Sequence, residues 1–135
     1  MEELSQQELE LLKLARQAAQ NAYSPYSGYK VGSAVLATDG RVFSGCNVEN
    51  ASYSLTLCAE RNAIFSAVAA GCRSFEAIAI YVDSEDVFPP CGACRQVIHE
   101  FGETMVVIYA NRSSIHKTDI SELLPGALKL DTETK

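Results

Sequence analysis

Apolar positions along this chain recur every three to four residues in some stretches and alternate or run continuously in others, and the changes of period mark its elements. Behind Ser5-x-x-Glu8, a capping box with Leu4 and Leu9 placed as its hydrophobic staple, Leu11, Leu12, Ala15, Ala18, Ala19 and Ala22 make an apolar helical face. That helix is expected to stop before Ser24-Pro25-Tyr26-Ser27-Gly28. Val31 to Ala37 and Arg41 to Cys46 are β-prone runs separated by Thr38-Asp39-Gly40, whose Asp-Gly pair predicts an antiparallel hairpin. Asn47 to Leu57 has no clear period, and Cys58 to Ala70 returns to helical spacing through Ala59, Ala63, Ile64, Ala67 and Val68, with Gly71 as its stop. Phe75 to Val82 is apolar on both faces, as a central strand between two helical layers would be. After a loop from Asp83 to Pro90, a helix is expected over Cys91 to Phe101, with Cys94, Val97, Ile98 and Phe101 on one face, then a fourth strand over Met105 to Tyr109. Ile115 to Lys117 suits a short edge strand, and Thr118 or Asp119 would cap a last helix through Leu124 that Pro125-Gly126 ends. Helices alternating with strands predict an α/β fold, three layers α/β/α around one mixed sheet of about five strands.

Composition narrows the classes. The 135 residues are 47% apolar and 21% charged, enough for one core and ordinary for a globular chain. No repeat or linker divides it, so one domain over 1–135 is expected, ordered from about Ser5 to Leu130. No window approaches a membrane span, and the acidic Met1 to Glu8 lacks the features of a secretory signal, so a cytoplasmic setting is expected. The net charge is −6, and the eleven Lys and Arg are scattered. A polynucleotide surface needs them clustered, so no nucleic-acid partner is expected and a neutral small substrate fits better.

Chemistry concentrates in two motifs, Cys58-Ala59-Glu60-Arg61 and Pro90-Cys91-Gly92-Ala93-Cys94-Arg95-Gln96. A C-x-x-C pair at a helix start can clamp a soft metal ion, and Cys58 brings the ligands to three, which leaves tetrahedral zinc a fourth position open for water. If Cys58 and Cys91 each open a helix, both helix dipoles favour thiolates at one point. Three thiolates on one divalent ion leave an excess negative charge, and Arg61 and Arg95, each directly after its motif, are candidates to offset it by hydrogen bonds to sulfur. Glu60 is the candidate proton carrier, provided that Cys58 lies at the very start of its helix, because residues two apart do not share a face further in. A redox C-x-x-C would leave Cys58-x-Glu60 without a purpose. A structural zinc site would need a fourth protein ligand; His99 falls off the apolar face of its helix, and His116 lies in a polar segment. Cys46 and Cys72 lack partners at ligand spacing.

Taken together, these residues resemble the small homotetrameric, zinc-dependent cytidine deaminases, through Ala22-Tyr23-Ser24-Pro25-Tyr26-Ser27, Val31-Gly32, Gly45-Cys46-Asn47-Val48-Glu49-Asn50-Ala51, both cysteine motifs and Glu122-Leu123-Leu124-Pro125-Gly126-Ala127. The resemblance implies hydrolysis of cytidine and 2′-deoxycytidine to the uridines with release of ammonia, in pyrimidine salvage, with one zinc per chain as the cofactor. It implies that Asn47 and Glu49 hold the ribose hydroxyls, that Ala59 and Cys91 contact the base through their backbone, and that Tyr53 lies near the sugar of a neighbouring subunit, so that a homotetramer shares its active sites. Tyr29 stands where many relatives carry a phenylalanine beside the ligand, and Leu128 where an aromatic often covers a neighbour's base. Two alternatives remain at this point: another zinc deaminase, of the blasticidin S or nucleotide-directed type, and a zinc-stabilised binding module, which would have no need of Glu60.

Overall fold

The computed structural model describes residues 3–130. The capping box forms at the start of α1 (Gln6–Ala19): the Ser5 hydroxyl accepts from the Glu8 amide while the Glu8 carboxylate accepts from the Ser5 amide. Leu11, Ala15 and Ala19 are its buried face. Strands β1 (Val31–Ala37) and β2 (Val42–Cys46) pair antiparallel, and Gly40 between them takes a φ of 95° that a side chain would resist. A single 3₁₀ turn, Tyr53–Leu55, follows within the stretch that showed no period. Then come α2 (Ala59–Ala69), β3 (Phe75–Val82), α3 (Gly92–Phe101), β4 (Val106–Ala110), β5 (Ile115–Asp119) and the one-turn α4 (Ile120–Leu123).

The strands form one five-stranded sheet in the order β2-β1-β3-β4-β5, with β3 and β4 parallel and the other neighbours antiparallel. Alternate residues of the central strands supply two cores. Ala34, Leu36, Ala77, Ala79 and Ile108 face α1, whereas Val35, Ile78, Ile80 and Val107 face α2 and α3. This is the mixed three-layer α/β/α arrangement that the pattern predicts.

The α1 side of the sheet is built from small residues, and two glycines set the closest helix approaches. A Cβ on Gly32 would lie 1.9 Å from the Ala15 carbonyl oxygen, and one on Gly45 would lie 2.6 Å from the Ala63 amide nitrogen. Both contacts are with backbone, which cannot swing aside. Gly32 thus seats α1 on β1, and Gly45 seats α2 on β2.

Two boundaries differ from the sequence reading in ways that bear on the site. Cys58 and Cys91 are the N-caps of α2 and α3 rather than their first turns, each with an extended backbone (ψ 156° and 167°). Strand β5 runs on to Asp119, opposite Val106; its alternating polar side chains concealed that length.

Candidate metal centre and nucleoside pocket

Strand β3 enters the sheet from the end of α2 and leaves it towards the start of α3, and both helices lie on the same face, so their N-termini come together. Cys58, Cys91 and Cys94 thereby bring their sulfurs within 4.8 Å of one another. Cys58 Sγ and Cys91 Sγ are 3.7 Å apart; sulfurs at zinc bond lengths of about 2.3 Å on a tetrahedron stand about 3.8 Å apart, so the spacing fits zinc. Cys94 is buried, Cys58 half-buried and Cys91 exposed, which leaves the cluster open on one side.

Electrostatics make the same point. A hydrogen bond from Cys94, opposed by burial and aided by Arg61, lowers the Cys58 thiol to a pKa of about 5. Cys94 moves strongly upward in turn, through that same bond, its burial and the nearby Glu60 charge. Three thiols this close cannot all ionise without a cation among them, and a divalent ion removes that conflict.

Glu60 lies in the first turn of α2, 4% exposed, and burial above all pushes its carboxyl up to about 7, with Cys58 contributing. Because Cys58 stands outside the helix as N-cap, Glu60 two positions later can face the same cluster, which meets the condition set by its spacing. Arg61 donates from Nη2 to Cys58 Sγ at 3.5 Å, while its Nε is buried with no hydrogen-bond partner. The Arg95 guanidinium is directed elsewhere than expected. Its Nε donates to the Pro90 carbonyl at 2.7 Å and its Nη1 to the Leu123 carbonyl at 2.8 Å, so it ties the peptide before Cys91 to α4 and makes no sulfur hydrogen bond.

Asn47 is buried and its amide is occupied: Oδ1 accepts from the Val31 amide at 3.0 Å and Nδ2 donates to the Tyr29 carbonyl at 2.8 Å. Glu49 accepts from the Tyr26 and Ser27 amides at 2.9 and 3.1 Å and from the Ser27 hydroxyl. Burial opposes its charge, but the Ser27 and Tyr26 bonds outweigh it and hold Glu49 below the usual carboxylate range. Oε1 accepts both amides, so Oε2, which accepts only the Ser27 hydroxyl, keeps a lone pair for a further donor. Glu49, Tyr26, Ser27, Tyr53 and Thr56 line a hollow of about 370 Å³. Tyr53 is 75% exposed and meets Tyr26 edge-on at 6.1 Å, and Tyr29 meets Phe88 likewise at 4.8 Å. Ala59, buried as the first residue of α2, has an amide that no helical carbonyl can reach.

The sequence reading passed over three residues here. Ser27 bonds Glu49, Asn62 donates to the Cys46 carbonyl at 2.8 Å and ties α2 to β2, and Asp86 accepts from the Tyr29 hydroxyl. Their partners lie 16 to 57 positions away, so no local pattern signals them. A larger groove, about 1050 Å³, lies on the opposite face between α1 and β4–β5, among Lys13, Arg16, Arg112 and Lys117. Lys117 is paired with Glu8, Arg112 with Asp83, and Arg16 sits over the Tyr81 ring, so these cations are largely engaged already.

A three-thiolate centre at two helix N-termini, with a buried carboxylate beside it, on a mixed five-stranded sheet, defines a metal-dependent hydrolase of deaminase architecture. The family model described as the cytidine and deoxycytidylate deaminase zinc-binding region matches residues 5–110, and the chain belongs to that family. It is 48% identical over 119 residues to a cytidine deaminase of Sporosarcina psychrophila, covering 87% of this chain and 88% of the relative. A crystal structure of cytidine deaminase from Burkholderia pseudomallei superposes with a TM-score of 0.85 at 46% identity, covering 93% of this chain and all of that one. A blasticidin-S deaminase of Bacillus cereus is 33% identical over 130 residues, covering 90% of this chain and 92% of that protein.

Proposed function

We propose that this chain, as a single domain, hydrolyses cytidine and 2′-deoxycytidine to uridine and 2′-deoxyuridine with release of ammonia. The observation that carries this reading is the gathering of Cys58, Cys91 and Cys94 beside the buried Glu60. It has further support from the higher identity to cytidine deaminases than to the blasticidin-S enzyme. Zinc held by the three cysteines supplies Lewis acidity that lets water act as a nucleophile near neutral pH. Glu60 accepts a proton from the water that attacks C4, delivers it to ring N3, and then passes the second proton to the departing amine. The amine leaves as ammonia and the oxygen remains on C4, so atoms and charge balance. Arg61, bonded to Cys58 Sγ, draws electron density from that sulfur and so preserves the metal's acidity. Arg95 acts one step further out, by holding the peptide that presents Cys91.

Glu49 and Asn47 are proposed to border the ribose. Asn47 holds the chain with both ends of its amide, so its part is to fix the wall, with its second Oδ1 lone pair available to a hydroxyl. Glu49 accepts a hydroxyl donor and repels a phosphate. The Ala59 and Cys91 backbones address the base, and Tyr29 flanks it. The highly exposed Tyr53, Leu55 and Leu128 are surfaces that a neighbouring copy would cover, and we read the working unit as a homotetramer with shared sites, Tyr53 reaching a neighbour's sugar. Five unbonded cysteines suit a reducing cytoplasm and a place in pyrimidine salvage. No nucleic-acid or membrane partner is assigned; among the described residues no helix is long and apolar enough to cross a membrane.

The test measures zinc by elemental analysis and turnover of cytidine, deoxycytidine, cytidine monophosphate and blasticidin S. One zinc per chain, with efficient use of the two nucleosides alone, is expected. Active protein free of zinc overturns the metal assignment, and monophosphate turned over as well as cytidine overturns the role of Glu49. Preference for blasticidin S selects the other deaminase class.

A further inference from the structure

The segment between β3 and α3, residues 83–90, leads directly into Cys91 and is pinned at both ends. At its root the Asp83 amide donates to the Lys30 carbonyl at 2.9 Å, the Asp83 carboxylate accepts from Arg112 Nε at 3.0 Å, and Asn111 Nδ2 donates to the Glu85 carbonyl at 2.7 Å. At its far end Arg95 holds the Pro90 carbonyl. Between these anchors the segment is joined to the opposite rim by Tyr29, whose hydroxyl donates to Asp86 Oδ2 at 2.8 Å and whose ring abuts Phe88. Tyr29 in turn is bound through its backbone to the proposed sugar-binding groups. Its carbonyl accepts from Asn47, and its amide donates to the Ser27 hydroxyl that bonds Glu49.

We propose that Asp86 is a positioning residue for the nucleoside, acting through the Tyr29 hydroxyl to hold the Tyr29 ring against Phe88, so that the residues bonded to Asn47 and Glu49 are fixed to the segment that leads into Cys91. This rests on the reading of the pocket as a nucleoside site and adds a determinant to it. Tyr29 is 36% exposed and Phe88 41%; packing alone does not hold a ring so open to solvent, and a phenol on a charged acceptor gives it one orientation. Asp86 bears on binding rather than on chemistry. Cys58 and Glu60 sit on α2, and Cys91 is held by Arg95 and the start of α3, so none of the reacting groups depends on the Asp86 contact. Its loss weakens ground state and transition state alike, which raises KM and leaves kcat.

Steady-state kinetics with cytidine on the zinc-loaded protein test this with Asp86→Ala, Tyr29→Phe, the double variant and Asp86→Asn. Each of the first two should raise KM about three- to tenfold, the effect of one hydrogen bond, with kcat within about twofold and zinc content unchanged. The double variant should be no worse than either single change, because both remove the same contact. Asp86→Asn keeps an acceptor oxygen and should restore most of the loss. An unchanged KM in Asp86→Ala, a fall in kcat at constant KM, or additive effects of the two single changes would each overturn the proposal. A parent protein that does not consume cytidine overturns the nucleoside reading, and this assignment with it. An active parent with an unaffected Asp86→Ala variant overturns this assignment alone.

Discussion

Glu60 combines two properties that seldom meet in one carboxylate, near-complete burial and a neighbour that is itself anionic. The first comes from its place in the opening turn of α2, beneath the sheet; the second comes from Cys58 capping that helix. Since Glu60 is proposed as no ligand, Glu60→Gln should leave zinc bound, because the amide has nearly the same shape. Turnover should fall by at least the hundred- to ten-thousandfold typical of a lost acid/base group, and further if one carboxylate serves both proton transfers. Zinc content measured beside the rate of cytidine loss checks this; loss of zinc in the variant would show that Glu60 supports the metal. The cysteines and Glu60 were legible in the sequence because each motif has a short spacing at a helix start, Cys58-x-Glu60 and Cys91-x-x-Cys94, although the two motifs, 33 positions apart, meet only through the fold. Arg95 was misplaced for the complementary reason: adjacency to Cys94 suggested a sulfur partner, but the side chain instead meets carbonyls of Pro90 and Leu123, the latter 28 positions away.

The elements were legible wherever a period lasted several residues, as in β1 and β3, whose bounds the apolar pattern gave, and at the start of α1, which however ends at Ala19 and leaves Ala22 outside the helical face expected of it. The pattern failed at Tyr53–Leu55, too short to show a period, and understated β5, whose exposed side chains are polar. How the helices seat on the sheet was also hidden, because a glycine beside a crossing backbone looks no different in sequence from one in a turn. Gly32 and Gly45 give this a test. Alanine at either site should cost about 1–3 kcal/mol or more by overpacking, read as a lower denaturation midpoint. The two variants should then diverge. Gly32→Ala displaces α1, which carries no metal-site residue, and should retain zinc once folded. Gly45→Ala pushes on α2 near the turn that carries Cys58 and Glu60, and should lose zinc affinity as well as stability. Equal zinc retention in both variants would show that α2 can shift without moving its N-cap.

On the scale of the whole molecule, the proposed homotetramer would cover the exposed Tyr53, Leu55 and Leu128, and native mass measurement at assay concentration should then find four copies. A fully active monomer would remove the proposed reach of Tyr53 into a neighbour's site and leave it only as a wall of its own chain's hollow beside Glu49. The three cysteines also lie on either side of β3, two after it and one before. In the unfolded chain Cys91 and Cys94 stay close while Cys58 is free to wander, so a complete coordination set exists only when β3 is inserted between β1 and β4. Zinc therefore binds the native state far better than the denatured one, and the difference appears as stability, about 4 kcal/mol at free zinc a thousandfold above Kd. Stripping the metal with a chelator should lower the melting temperature by roughly 10–20 °C, and re-adding zinc should restore it. An unchanged melting temperature would mean that the cluster contributes nothing to folding. By this linkage the ion serves as a topological check, since a chain that misthreads its central strand cannot assemble the third ligand and remains both inactive and easier to unfold.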